Sequence, residues 1–537
     1  MSLPLHFSTG PLALTSLDKK LCCWHSLTSA ETYYSLMNQK RSEQEQIRID
    51  KLVALQTKGY PYPNDVKVTA TCEEALIAAE KLSELPENSV APKNNCTVAG
   101  RIMTLRQMGK AAFFHIQDRT TKLQIYIKRD DVGDEQFEAF KNLDLGDIVE
   151  CAGYPFLTKT KEPSLHATSC RLLVKCLRPL PEKYHGLSDI ELRYRQRYLD
   201  LMVTEESRAT FKLRSKIIGE VRRFFDERDY LEVETPILST LSSGAAARPF
   251  STHHNALDMP LTLRIALELP LKRLVVGGIE RVYELSRVFR NEGISTEHNP
   301  EFTMLEFYQA YATYEDLMTL TEELIGGICD KIFSKRTLPF RDVVVNYASP
   351  WRRLTMVESI YELGGLSREI DLNTEAGARL AAEKLGVNGI DAGTSYGKII
   401  YEIFDQKIEE KIVDPVFITQ HPTDVSPLAR PNLENPRFTD RFELFVAGLE
   451  VANAFSELND SVDQRQRFEA QLELKKKGDE EAMPLDEDFI TALEYGMPPT
   501  AGEGIGIDRL VMILTGSASI RDVILFPTMR PLERSCS

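Results

Sequence analysis

No Cys-x-x-Cys pair occurs among the nine cysteines of this 537-residue chain, and its nine histidines form no Cys/His spacing of the zinc-binding kind. A structural metal knuckle is therefore not expected, and the scattered thiols read as reduced ones in a cytosol. No apolar run approaches the roughly 18 to 20 residues needed to cross a bilayer, and the segment after Met1 lacks the basic region that opens a secretory signal. The expectation is a soluble, cytoplasmic protein with no membrane association. Positive charge is also short, since 65 Lys+Arg stand against 80 Asp+Glu for a net of -15. That balance argues against a polyanionic partner for the chain as a whole. From Lys93 to Lys183, however, 15 basic residues face 11 acidic ones, a local excess compatible with RNA phosphates. The length allows about three units.

Residues 1–36 lack apolar periodicity and carry the pair Cys22-Cys23. They are expected to be disordered or not made, with Met37 as the initiator. Residues 37–92 read as an N-terminal helical segment, whose charged first helix ends at Gly59 and a Tyr-Pro turn. In 93–180, alternating runs such as Thr97 to Met103, Ala112 to Ile116, Lys122 to Ile127 and Asp147 to Phe156 are separated by turn residues. They suit a small antiparallel barrel of the OB type, able to stack unpaired bases on Phe113 or Phe114 and read their edges with Gln124. Core packing is the expected fate of at least one of the two rings. Residues 181–210 form a linker with a helix near Gln196.

Residues 211–537 read as a larger α+β unit on a mostly antiparallel sheet with flanking helices. Ile217, Ile218, Val221, Phe224 and Phe225 define a helical stripe within Phe211 to Arg228. Leu231 to Leu238 follows as a strand whose Pro236 belongs at an edge or interface. A helix-rich insertion without visible chemistry spans about 374–420, and Asp440 to Asp460 with Ala501 to Leu514 completes the sheet and its helix.

Within this unit, polar groups fall where a buried strand should be apolar. Val282 to Glu292 alternates, with Glu284, Ser286, Arg290 and Glu292 mostly on one face. After the Gly293 to Pro300 loop, Phe302, Met304, Glu306 and Tyr308 share a face opposite Thr303, Leu305 and Phe307. A hairpin whose polar faces coincide would place an arginine, several carboxylates and a phenol on one concave surface, at a cost that favours a site over a salt-bridge ladder.

This hairpin resembles the second signature motif of class II aminoacyl-tRNA synthetases. Phe211 to Leu238 resembles the first motif, and Gly504-Ile505-Gly506-Ile507-Asp508-Arg509-Leu510 the third. The text between them, "RPFSTHHNALDMPLTLRIALEL", "ERVYELSRVFRNEGI" and "ANAFSELND", is similar to the bacterial lysyl-tRNA synthetase family from about Met37 onward. The resemblance implies ATP-dependent activation of L-lysine and its transfer to the 3′ end of tRNA(Lys) by a homodimer using Mg2+. The motif 1 helix and strand would build its dimer interface.

Such chemistry needs charge stabilisation and positioning rather than a side-chain nucleophile. Arg290 can hold the amino-acid carboxylate and the α-phosphate through its guanidinium fork, and Arg509, at a helix start, can clamp the distal phosphates. The resemblance places Phe302 under the adenine, Glu292 on its amino group and His298 near the terminal phosphates. It also assigns Glu443 and Glu450 to the metal, and Phe113, Gln124 and Glu162 to the anticodon. A lysine side chain needs anionic acceptors at depth and apolar walls. Glu306, Tyr308 and Glu457 supply the first in phase with their strands, and Phe455 the second. Gly244 and Glu268 would meet the α-amino group and Asn453 the carboxylate. Glu450 has the wrong parity to face inward with Asn453, Phe455 and Glu457, so a bulge is expected near Ala452.

Ala454, Leu267 and Glu503 depart from the family pattern, where glycine, proline and an apolar residue are usual, and each is expected to affect the pocket edge. Thr296-Glu297 lacks a basic residue often seen before the histidine. Two rivals stand beside the lysine reading, an aspartyl- or asparaginyl-type synthetase and a catalytically inactive synthetase-like RNA-binding protein. Two glutamates at the pocket floor would repel or leave unpaired the side chains of the first. Retention of Arg290, Glu292, Glu450 and Arg509 argues against the second.

Overall fold

A computed structural model describes residues 41–57, 59, 62–84, 94–181, 187, 189–241, 243–245, 247–476 and 483–532. The expectations for residues 1–36 and a start at Met37 lie outside them. The chain falls into two compact units that divide after Glu182.

In the first unit, capping boxes open two helices. Ser42 and Glu45 start Glu43–Gln56, and Thr71 and Glu74 start Cys72–Glu80. Strands β1 (Cys96–Met108), β2 (Ala111–Gln117), β3 (Lys122–Lys128), β4 (Ile148–Leu157) and β5 (Pro163–Val174) then close into a barrel in the order β1-β2-β3-β5-β4. Neighbours are antiparallel except β3 and β5. Alternation decides which ring goes inside: Ala112, Phe114 and Ile116 are fully buried, whereas Phe113 and His115 of the same strand face outward. Helix Asp134–Lys141 adds Phe137 and Phe140 to the barrel core. The runs picked out in the sequence leave out β5, whose pairing with β4 shifts register twice and so breaks the period of two.

The second unit is built on an eight-stranded sheet. Its strands begin with β6 (Leu231–Glu232), followed by a small separate sheet of β7 (Leu238–Ser239), β8 (Ser251–His254) and β9 (Met259–Leu263). The hairpin β10 (Arg281–Phe289) and β11 (Glu301–Ala310) comes next, then a two-stranded ribbon of β12 (Thr337–Phe340) and β13 (Val343–Asn346). β14 (Arg352–Thr355), β15 (Val416–Thr419), β16 (Arg441–Val446), β17 (Leu449–Ser456) and β18 (Thr500–Gly506) complete it, in the order β14-β15-β16-β17-β18-β11-β10-β6. Pairing is antiparallel except at β14/β15 and β10/β6.

Four sequence expectations need correction here. The first-motif helix runs Glu205–Asp226, so its start lies inside the supposed linker, preceded by Ile190–Arg195 and Arg197–Val203 on either side of Gln196. Leu231 to Leu238 is not one strand. Pro236 offers no N–H, and the chain leaves the large sheet after Glu232 and joins β9 at Leu238. The first hairpin strand stops at Phe289, leaving Arg290 and Glu292 beyond it, with the Arg290 N–H on Pro300 O (2.8 Å). The stretch 374–420 contributes helices Glu375–Leu385 and Tyr396–Lys407, but it also contains β15, whose four residues are all buried in the main sheet.

One face of the sheet packs on helices Glu205–Asp226, Tyr314–Ile328 and Ile507–Thr515 through a core that includes Ile217, Val221, Phe225, Leu305, Phe307, Leu324 and Ile505. Three distant segments are tied at its edge: Arg214 donates to Asp508 (2.6 Å) and to Thr303 Oγ1 (3.1 Å), while the Thr303 N–H donates to Asp508 (2.6 Å). The approach helices are latched to the C-terminal segment by Arg197, which pairs with the fully buried Asp200 (2.7 Å) and donates to the carbonyls of Arg521 and Leu525. Among the described residues, no helix is long and apolar enough to cross a membrane.

Two departures noted in the sequence turn their side chains to this core face. Ala454 of β17 is paired with Glu503 of β18, and both are buried. Glu503 accepts from Thr321 at 2.7 and 2.8 Å, and burial pushes its carboxyl up from 4.5 to about 8. A raised carboxyl stabilises the fold fully below its unfolded value and loses that contribution as pH climbs through the folded one. Glu503→Gln keeps an acceptor for Thr321 and has no charge to bury. Its melting temperature should match the native protein near pH 5 and exceed it increasingly toward pH 9, as thermal unfolding across that range would measure.

Candidate active site and nucleic-acid face

The other face of the sheet, with its flanking loops, lines a cleft of about 1200 Å³. Strand register explains how the polar groups converge. In β10/β11, Glu284 faces Glu306, Ser286 faces Met304 and Val288 faces Phe302, so the two polar faces coincide. On β18, Gly502 and Gly504 stand beside Tyr308 and Glu306. A Cβ at Gly502 would overlap the Tyr308 ring and the Glu457 carboxylate, so only glycine fits there. The expected bulge sits at Val451, where pairing steps from Leu444/Ala452 to Phe445/Glu450. Val451 and Ala452 both enter the core, which leaves Glu450 and Asn453 both lining the cleft.

At one end of the cleft, Arg290 lies over the Phe302 ring, 5.2 Å from its centroid, with Nε 3.4 Å from Ile265 O. Arg509, at the start of helix Ile507–Thr515, donates to Glu450 O (2.8 Å) and meets His298 Nε2 at 3.1 Å. A guanidinium only donates, so Nε2 accepts and the neutral imidazole carries its proton on Nδ1, toward Ser295 Oγ (2.9 Å). Desolvation and the facing Arg509 lower the His298 pKa, consistent with that tautomer. Glu292 is exposed beside them. Glu297, where a basic residue was missed, pairs with Arg341 (2.8 Å).

Glu443 accepts from Arg441 at 2.5 Å, and Arg441 Nε also donates to Asn453 Oδ1 (2.9 Å), so the asparagine amide nitrogen is the atom left to donate. Burial raises the Glu443 pKa, and burial followed by the charge of Glu443 raises that of Glu450. Glu409 joins this acidic region and is pushed up to about 8 by burial and then by Glu450. Among the described residues, no group of three or more His, Cys, Asp or Glu is gathered to hold a metal.

The deep end differs from the sequence expectation. Glu306 accepts from the Leu267 N–H (3.0 Å) and the Tyr308 hydroxyl (3.3 Å), and burial, then the nearby Glu268, push it up to about 7. Leu267 thus supplies a donor that the proline usual in the resembling sequences lacks. Gly244, at φ +94°, brings its backbone close to the Ala266 and Glu268 side chains. Glu268 and Glu457 share the fully buried ammonium of Lys272, Glu268 at 2.5 Å. Glu457 therefore already has a cation, because a carboxylate withdrawn from water needs one, while its Oε1 is buried without a hydrogen-bond partner. Phe455 flanks Lys272, its ring centroid 5.3 Å from Nζ. Glu284, counted on the polar face, is engaged by Arg264 (2.7 Å) and Thr235 outside the cleft.

Several participants escaped the sequence reading. Lys272 stands four residues after Glu268 on helix Glu268–Val276, a spacing visible in the chain, but nothing there indicates that the helix end is buried. Arg441 alternates with Glu443. The insertion, thought to lack chemistry, brings Lys398, Tyr401 and Glu402 to the cleft wall.

On the barrel, two cross-strand rows form an outward face. Register aligns Phe113, Tyr126, His166 and Tyr154 in one and His115, Gln124, Ser164 and Phe156 in the next. Successive centroids in the first row are 4.8, 5.0 and 4.9 Å apart. Gln124 is buried between them with Nε2 on Ser164 Oγ (2.9 Å), and the exposed Glu162 lies 4.0 Å from His115 Nε2.

Residues 189–530 match the family of tRNA synthetases class II (D, K and N), and residues 96–173 match the OB-fold nucleic acid binding domain. The chain is 52% identical over 496 residues to the lysine–tRNA ligase of Bacillus subtilis (strain 168), covering 92% of this chain and 98% of that protein. To the lysine–tRNA ligase of Bacillus cytotoxicus it is 52% identical over 499 residues, 92% of this chain and 99% of that one. The Bacillus cereus (strain B4264) lysine–tRNA ligase is 51% identical over the same shares.

Gly502→Ala should destabilise the catalytic unit by about 1 to 3 kcal/mol, because the added methyl must displace the buried Tyr308 or Glu457. Equilibrium denaturation checks this, and wild-type stability would mean that the two side chains are free to move.

Proposed function

The chain belongs to the class II tRNA synthetases (D, K and N), and from that premise we propose that it activates L-lysine with ATP and transfers it to the 3′ end of tRNA(Lys). The observation that carries the choice of amino acid is the set of buried acceptors, Glu306, Tyr308 and Glu457, grouped on the floor of a cleft that Arg290 also lines. An ammonium on a long apolar stem satisfies them. An aspartate or asparagine side chain would set a carboxylate or amide against two carboxylates. Exchange of pyrophosphate into ATP, tested with each of the twenty amino acids, should proceed with lysine. Exchange supported by aspartate or asparagine instead would reject the assignment.

The lysine carboxylate attacks the α-phosphate and pyrophosphate leaves. Arg290 binds both reacting groups and offsets the charge that grows between them, while the Asn453 amide donates to the carboxylate. Gly244 and Glu268 receive the α-amino group. Phe302 stacks on the adenine, Glu292 accepts from its amino group, and Arg509 with His298 holds the terminal phosphates at the helix N-terminus. The Arg290–Phe302 and Arg509–His298 contacts support this arrangement by preordering both arginines.

Magnesium fits beside Glu443 and Glu450, since burial and the Glu443 charge raise the proton affinity of Glu450 and a divalent cation would relieve that charge. Two carboxylates leave the remaining positions to phosphate and water oxygens, as suits this ion. When bound, it withdraws charge from the phosphates.

The barrel face reads the anticodon, with Phe113 stacking and Gln124 and Glu162 meeting base edges; the row through Tyr126, His166 and Tyr154 extends the stacking surface. A homodimer through the first-motif region is supported by exposed Leu231, Ile237 and Leu238 at that edge of the fold. The working compartment is the cytoplasm.

Arg290→Ala should abolish adenylate formation while the protein stays folded, since a charge contact of this type contributes about 3 to 4 kcal/mol. Lysyl-adenylate formed within tenfold of the native rate would assign the α-phosphate to another group. Phe113→Ala and Tyr126→Ala should each weaken tRNA charging by the equivalent of about 1 to 3 kcal/mol per lost stack. Pyrophosphate exchange should be untouched, and parallel loss of both activities would indicate a folding defect instead.

A further inference from the structure

Lys272 is a buried cation that the chemistry above does not use. Its side chain is wholly enclosed, its ammonium lies 2.5 Å from Glu268 and in contact with Glu457, and the rings of Phe455 and Phe489 flank it at 5.3 and 5.8 Å. Helix Glu268–Val276 presents Glu268 and Lys272 one turn apart, β11 contributes Glu306 and Tyr308, the end of β17 leads to Glu457, and β18 offers only Gly502. The neighbouring Arg273 turns away to Asp486 (2.8 Å) and Asp488 (3.0 Å). The floor therefore holds three carboxylates, Glu268, Glu306 and Glu457, against one internal ammonium; Arg290 also acts on Glu306, but its guanidinium is assigned above to the substrate carboxylate and α-phosphate.

The geometry points to Lys272 as a positioning and specificity-determining residue: an internal counter-cation that fixes at two the number of positive charges an amino-acid substrate must bring. Three carboxylates less one ammonium leave two unmatched charges, and a diamino acid with both amino groups protonated supplies two. An α-amino acid with a neutral side chain of the same length leaves one carboxylate buried and uncompensated, at a cost of several kcal/mol. The ammonium form of Lys272 is favoured electrostatically. Burial works against the Lys272 ammonium, but Glu268 and Glu457 outweigh it and hold its pKa above the usual lysine value. Burial, then Glu268 and Glu306, leave Glu457 well above the usual carboxylate range, and Lys272 is the group that works against that rise. Without Lys272, Glu457 would take a proton that incoming lysine must expel, together with the one that Glu306, at about 7, already carries in part.

The inference rests on the lysine reading, which fails separately if lysine supports no pyrophosphate exchange. Lys272→Met keeps length and bulk and removes the charge. Its Michaelis constant for lysine should rise about ten- to a hundredfold near neutral pH, as for loss of a charge-assisted contact, and recover at higher pH than in the native protein. The constant for ATP should stay within about twofold. Calorimetric titration with lysine in buffers of different ionisation enthalpy should show about one more proton released by the variant than by the native protein. A purely structural lysine would leave the pH profile and the proton count unmoved, and that result overturns the proposal. The native protein alone provides a second test, independent of whether the variant folds. Near pH 7 it should release no more than one proton per lysine, from Glu306, and a release approaching two would mean that Lys272 does not keep Glu457 ionised.

Discussion

Three carboxylates are held out of water on one face of a sheet with a single internal cation among them, and much of the catalytic unit follows from that constraint. Glu268, Glu306 and Glu457 are each at most 7% exposed. Buried anions persist only when paired or hydrogen-bonded, and each has a visible answer: Lys272 for Glu268 and Glu457, and the Leu267 N–H with the Tyr308 hydroxyl for Glu306. What remains unmatched is a demand for positive charge, the demand that the proposed lysine substrate would meet. Elsewhere in the cleft the polarity reverses, with the guanidinium groups of Arg290 and Arg509 among its lining.

The sheet makes this possible by keeping two chemistries on opposite sides of one layer. Along β18, Ala501 and Ile505 enter the hydrophobic core while Gly502 and Gly504 clear space on the cleft side. Along β17, one extra residue at Val451 turns Glu450 to the side of Asn453. The bond pattern of Arg214, Thr303 and Asp508 then ties the first-motif helix, the hairpin and the last helix together, so that side chains nearly 300 positions apart hold a common register.

The departures from the family pattern have different meanings once they are placed. Leu267 acts through its backbone, adding a donor to Glu306 that no proline could supply. Ala454 and Glu503 are cross-strand neighbours whose side chains lie on the core side of the sheet, where Thr321 engages Glu503.

The period-two alternation in Val282 to Phe289 and in Phe302 to Tyr308 was enough to establish the hairpin, because strand side chains alternate whatever surrounds them, but not that Arg290 and Glu292 lie beyond its first strand. The same rule required a bulge near Ala452, whereas which of Phe113 and Phe114 turns inward was settled only in the folded barrel. Family-specific text added the overall architecture. Only the tertiary structure decided what each carboxylate meets. Lys272 is four positions from Glu268 but 185 from Glu457, and Arg264 claims Glu284 from the loop after β9, since ion pairing depends on distances through space that no local pattern encodes. Pro236 divides its strand because the chain changes sheets there, and β5 hides from the period of two because its register slips twice against β4. Local periodicity sets which way a side chain points; packing between distant segments sets what it points at.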